Sequence, residues 1–228
     1  MLFSGVAAYA GSLQLPVYTQ GYTTDEFLYQ RNLPEISQNT FCFWINLGAD
    51  EDGYNFDFLF SISTLMSPDA YSVGFESEVI RILGGDSRII SVSLTDIIHL
   101  FTGWHKHCFT WISDQFFKWY AEVNTPGDLE LMVSHAIGSY NISAEGALIL
   151  MHEQNAYFGG LDINQLSAGK IAWVNMWDYA MSDEEIKMLK CRDEGNVVNW
   201  NTLSQQGASH IHYETFECQG KATEAYNL

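Results

Sequence analysis

From residue 41 onward the chain is built of short runs of large apolar and β-branched residues, separated by turn-forming pairs. Runs at 41–47, 56–63, 71–75, 79–83, 89–94, 107–113, 116–123, 146–151 and 171–177 each have the length and composition of a strand. Gly84-Gly85, Ser113-Asp114, Pro126-Gly127 and Gly159-Gly160 supply turns between them. Nine or more short strands at this spacing predict an all-β fold, a two-sheet antiparallel sandwich of the jelly-roll or lectin-like kind. One segment breaks the pattern. Ser182-Asp183-Glu184-Glu185 has the form of a capping box, and Ile186, Leu189 and Lys190 continue a short helix over 183–190. Its early acids and late lysines suit the two ends of the helix dipole. No repeat, low-complexity run or linker appears, so the chain reads as a single domain over 1–228.

Composition narrows the partners. Of 228 residues, 28 are acidic and 10 are Lys or Arg, a net charge of −18 that repels phosphate backbones and anionic lipid. Nucleic acid is therefore not expected as a partner, and cations are. No run approaches the ~18 uninterrupted apolar residues of a membrane span, so membrane insertion is not expected either. Residues 1–11 are small and apolar, with Ala8 and Ala10 spaced as at a cleavage site. They lack a basic leading segment, which makes them at most a signal-peptide remnant.

The four cysteines, Cys42, Cys108, Cys191 and Cys218, allow three pairings. Cys42 and Cys108 both lie in strand-like runs, so a bridge between paired strands is geometrically reasonable. Cys191 and Cys218 would staple the C-terminal tail. Two bridges imply an oxidising compartment, hence a secreted protein. Asn141-Ile142-Ser143 is a glycosylation sequon that points the same way.

The chemistry concentrates after the run at 146–151. Glu153, Asn155, Asp162 and Gln165 bring oxygen donors to one loop, and Gly159-Gly160 lets it fold back on itself. Calcium takes about six to eight hard oxygen ligands in a flexible shell, which such a loop can supply. The alternate-residue spacing of an EF-hand is absent.

Here the chain resembles the pentraxins. Glu153-Gln154-Asn155-Ala156-Tyr157, Gly159-Gly160, Asp162 and Gln165 are similar in register to that family's calcium loop. The stretch from Gly169-Lys170-Ile171 to Trp177-Asp178 and the run Met181 to Ile186 are also similar. So are Glu194 to Trp200 and the Cys108-x-Thr110-Trp111-x-Ser113 signature. The resemblance covers roughly 40–200, and residues 1–35 and 201–228 match loosely, as extensions of the one domain. It implies a disulfide between Cys42 and Cys108. It implies calcium held by the side chains of Glu153, Asp162 and Gln165 and by the backbone carbonyl of Gln154. Asn155 stands where the family usually has an aspartate bridging two ions. Asp69-Ala70, after Phe60-Ser61, stands where the family has an Asp-Asn ligand pair, so Asp69 is a ligand and Ala70 is not. Both departures imply weaker binding, or one ion in place of two. Phe75 is expected as the apolar wall of the ligand pocket, and Asp86 as its acid.

Other groups carry less. Lys106 stands where the family has a histidine, and its neighbours His105 and His107 would share one face of a strand, as a zinc pair requires. Structural roles are the expectation for these and for His210 and His212. Asp50, Glu51, Asp52 and Asp57 lack the alternation of a lectin-fold glycosidase strand, and no hydrolase, P-loop or zincin motif occurs. An enzyme is not expected. The expected function is calcium-dependent binding of an anionic or carbohydrate ligand, such as a phosphate ester, by a homo-oligomer outside the cell. The alternative is a structural or adhesion module of a larger extracellular assembly, with a degraded calcium site.

Overall fold

The structure, a computed structural model, describes residues 15–21, 23–47, 58–76, 79–84, 87–93, 97–124, 128–207 and 211–214. Fourteen strands among them form two antiparallel seven-stranded sheets. Edge to edge, the first sheet holds β10 (Leu129–Ala136), β9 (Phe116–Glu122), β8 (His105–Ile112), β3 (Gln38–Asn46), β12 (Gly169–Trp177), β1 (Leu15–Gln20) and β14 (Ile211–Glu214). The second holds β13 (Ser204–Gln206), β2 (Phe27–Leu33), β11 (Gly146–Leu150), β4 (Phe58–Ser63), β5 (Tyr71–Glu76), β6 (Val79–Gly84) and β7 (Ser87–Ser93). The sandwich expected from the strand pattern is the one observed.

Alternation sorts the side chains of paired strands to two faces. Phe41, Phe43, His107 and Phe109 of the first sheet turn inward to meet Phe60, Ile62, Tyr71 and Val73 of the second, and all are buried. Phe60 joins the layers, with ring centroids 4.4 Å from Phe41, 6.1 Å from Phe43 and 6.3 Å from Phe109. Edge-to-face packing of this kind adds to the area term. His107 belongs to this core. Its Nε2–H donates to the Leu100 carbonyl at 2.9 Å while its Nδ1 accepts from Trp119 Nε1 at 3.2 Å. The ring stacks on Phe101 at 4.6 Å, and burial pulls its pKa down to about 3. Both nitrogens are engaged, so the ring offers no lone pair to a zinc ion.

On the outer face of the first sheet, Cys42 and Cys108 lie opposite one another on β3 and β8, with Cα atoms 4.1 Å apart, and form a disulfide. Cys191 is disulfide-bonded as well, and its expected partner Cys218 lies outside the described residues. The helix, α1 (Asp183–Met188), covers part of this face. Its capping box is present, with Glu185 N–H donating to Ser182 Oγ and the Glu185 carboxylate accepting from Ser182 N–H. Lys118 Nζ and Tyr120 Oη of β9 donate to Asp183 Oδ1 at 2.6 and 2.7 Å, which ties the helix start to the sheet.

Candidate functional site

The site grows from β11, on the outer face of the second sheet. At its end Met151 takes φ +63°, and the chain leaves the sheet while its N–H still donates to the Leu59 carbonyl. An isolated bridge between His152 and Leu166, with Glu153 N–H donating to the Gln165 carbonyl at 3.0 Å, closes the base of the loop 153–165. Within it, Ala156 and Gly159 exchange backbone hydrogen bonds of 3.2 and 3.1 Å, which makes the tight reversal expected from Gly159-Gly160. Gly160 has φ +67°, and a Cβ there would sit 3.0–3.1 Å from Asn155 and Ala156. Glycine is required by both terms.

Gln154 holds the loop to the sheet. Fully buried, its Nε2 donates to the carbonyls of Ser61 (3.0 Å) and Ala147 (2.9 Å) and to Ser61 Oγ (3.2 Å). Its Oε1 accepts from Ser63 Oγ at 2.7 Å, and Ser63 Oγ in turn accepts from Phe158 N–H at 3.1 Å. The loop therefore lies back across β4 and β11. Turn 64–70, which carries Asp69 and the buried Ala70, leaves β4 at that same Ser63.

Three of the candidate ligands touch one another. Gln165 Nε2 donates to the Glu153 carboxylate, and Asn155 Nδ2 donates to Gln165 Oε1 at 2.5 Å and to the Gly160 carbonyl at 3.0 Å. Asp162 sits at the rim, with its Oδ1 accepting from Asn164 N–H and from the Asn164 amide, both at 2.9 Å. Among the described residues no three His, Cys, Asp or Glu side chains form a metal-binding group. The converging set is one carboxylate and two amides, linked to one another by these hydrogen bonds.

Phe75 departs from expectation. It is 3% exposed and packs edge to face on Phe101 at 4.9 Å, because alternation along β5 turns it inward with Tyr71 and Val73. Its ring is part of the core. Asp86, paired with it at sequence level, lies outside the described residues, as do Asp50 to Asp52 and Asp57. Asn141 is exposed, between β10 and β11.

A group of side chains not singled out in the sequence flanks the loop. Phe27, Tyr29 and Arg31 alternate along one face of β2, and the Phe158 ring lies across all three. Its centroid is 6.2 Å from that of Phe27 and 4.9 Å from that of Tyr29, and Arg31 Cζ stands 4.6 Å above it.

The sequence profile of the Pentaxin family matches residues 28–213. The chain belongs to the pentraxin family. Among pentraxins it is 24% identical over 206 residues to the neuronal pentraxin receptor of Homo sapiens, covering 87% of this chain and 39% of that protein. It is 36% identical over 75 residues to the C-reactive protein of Sus scrofa, covering 32% and 34% of the two chains. The chain thus spans between a third and two fifths of these relatives' lengths. The native heptameric SAP-like pentraxin of Limulus polyphemus has the same fold. Its TM-score is 0.65 at 20% identity, over 87% of this chain and 93% of that one.

Proposed function

We propose that this pentraxin is an extracellular binding protein that recognises anionic or polar ligands, such as phosphate esters or glycans, through one calcium ion. The observation that carries this is the convergence of Glu153, Asn155 and Gln165 in a loop closed at its base and bolted to the sheet by Gln154. Asp69, Asp162 and the Gln154 carbonyl are the remaining ligands of this reading. Calcium bound there supplies positive charge with open coordination positions for ligand oxygens, on a protein whose net charge of −18 otherwise repels them. Gln154 and the bridge between His152 and Leu166 fix the loop on the second sheet, so little ordering accompanies binding.

Membership of the family supports a binding role over catalysis. The heptameric state of the Limulus relative supports a homo-oligomer, which would turn weak single-site contacts into avidity. The disulfides support secretion, and no described helix is long and apolar enough to cross a membrane. Asn141, exposed within its sequon, is the proposed glycan acceptor.

Asn155 and the buried Ala70 favour a second reading, a structural or adhesion module whose loop binds no ligand. Calorimetric calcium titration separates the two. Binding of one ion, weakened by at least about tenfold in Glu153→Gln, is expected for a first ligand. A silent titration, or one indifferent to Glu153→Gln, assigns the structural role.

A further inference from the structure

Arg31 is an exposed arginine with no carboxylate partner among the described residues, in a chain with 28 acids and 10 Lys and Arg. Its guanidinium is nevertheless placed. The Phe158 ring lies 4.6 Å beneath Cζ, and that ring is fixed in turn by Tyr29 at 4.9 Å and by the Phe158 N–H bond to Ser63. Stacking engages the face of a guanidinium and leaves its N–H edge free, the geometry that accepts a carboxylate, sulfate or phosphate in two parallel hydrogen bonds. Phe158 is part of the loop itself, two residues before Gly160, whose carbonyl holds Asn155. The neighbouring strand β13 is three residues long, pairs with β2 at Phe27 to Tyr29 and stops short of Arg31, which is exposed.

We propose that Arg31, seated on Phe158, is a second anion-binding point beside the calcium loop, and that it selects oligosaccharides bearing acid groups on more than one sugar. This rests on the calcium-dependent reading above. A ligand with one acid group satisfies either the ion or Arg31, whereas a chain of acidic sugars engages both. Elsewhere the strongly acidic surface repels such a chain, so its affinity depends on these two local cations. Sequence periodicity gave no sign of the pair, because Arg31 and Phe158 are 127 positions apart and meet only through the loop's return across the sheet.

The test compares an alternating uronate tetrasaccharide, with two carboxylates, against a monosaccharide phosphate, by calorimetry in calcium and in chelator. Arg31→Gln is expected to weaken the tetrasaccharide about tenfold, as loss of a charge-assisted hydrogen bond does, and the monosaccharide phosphate less than about twofold. Calcium affinity should be unchanged. In chelator, the wild type should retain weak, salt-sensitive tetrasaccharide binding that Arg31→Gln lacks. Arg31→Lys, which keeps the charge without the planar fork, should fall between. A normal calcium titration with equal losses for both ligands, or no loss, overturns the proposal, as does a wild type that binds no tetrasaccharide. Failure of the calcium titration itself counts against the calcium reading, and the chelator arm still decides Arg31.

Discussion

At the scale of single residues, Asn155 sets the character of the loop. Its amide donates to Gln165 and to the Gly160 carbonyl, so it acts as a brace across the loop. A carboxylate there would lack those donors but would add a negative charge and two oxygens capable of bridging cations. Asn155→Asp is therefore expected to raise the calcium stoichiometry from one towards two and tighten binding by about tenfold, the weight of about 1.4 kcal/mol. Equilibrium dialysis with labelled calcium reads both quantities, and an unchanged stoichiometry would show that Ala70 also limits the second ion. The grouping of Glu153, Asn155 and Gln165 was legible in the sequence because an ordered motif holds the three in register. The direction of Phe75 was not. Its burial depends on which face of β5 meets the first sheet, and Phe101 on the far side decides that.

At the scale of elements, the loop is only as well placed as its attachment to β4 and β11. Gln154 supplies that attachment with four side-chain hydrogen bonds in a fully buried setting. Gln154→Leu keeps the approximate bulk but leaves the Ser61 and Ala147 carbonyls without this donor. The expected destabilisation is about 3 kcal/mol, from buried acceptors left unsatisfied. Denaturant unfolding measures it, and amide exchange over 153–165 should rise with it. Wild-type exchange there in the variant would mean that the base bridge alone holds the loop. The same scale shows where sequence patterning ends. The nine apolar runs became β3 to β9, β11 and β12, because strands buried on the inner face announce themselves by hydrophobicity. β10 is largely exposed along its length, β13 is Ser-Gln-Gln, and β2 mixes Arg31 and Asn32 into its second half. These lie near or at sheet edges, where pairing partners and not apolar content make the strand. Missing β2 also hid Arg31 and Tyr29.

At the scale of the whole molecule, the two faces of the sandwich do different work. The second sheet carries the loop, and the first carries the disulfide, the helix and a buried lysine. Lys106, beside Cys108 on β8, is 3% exposed. Its Nζ donates to the Leu189 carbonyl at 3.2 Å and stands 4.5 Å from the centroid of Trp173. Trp173 reaches it through a bulge in β12, where the register shifts between Ala172 and Asn175 and φ is +51°. Burial pulls the Lys106 ammonium down to about 7, against the opposing pull of Asp193 and Glu122. In the unfolded chain the same lysine keeps its proton to about 10.5. Between these values the unfolded state binds more protons than the folded one, so stability rises with pH across that window. Below about 7 both states are charged and the full penalty of burying the ammonium is present. Integrated from pH 7 to 9, the relief is about 2 kcal/mol. His107, held down to about 3, places its own climb at lower pH, and Tyr71 and Tyr120, both pushed up by burial, act only above this range. Growing negative charge opposes the rise in every variant alike, so the difference between wild type and Lys106→Met is the informative quantity. Urea unfolding at pH 7 and 9 should show Lys106→Met gaining less from the higher pH by about 2 kcal/mol. Parallel pH profiles for the two proteins would mean that Lys106 stays charged in the folded state, held by Trp173, Leu189 and the two acids.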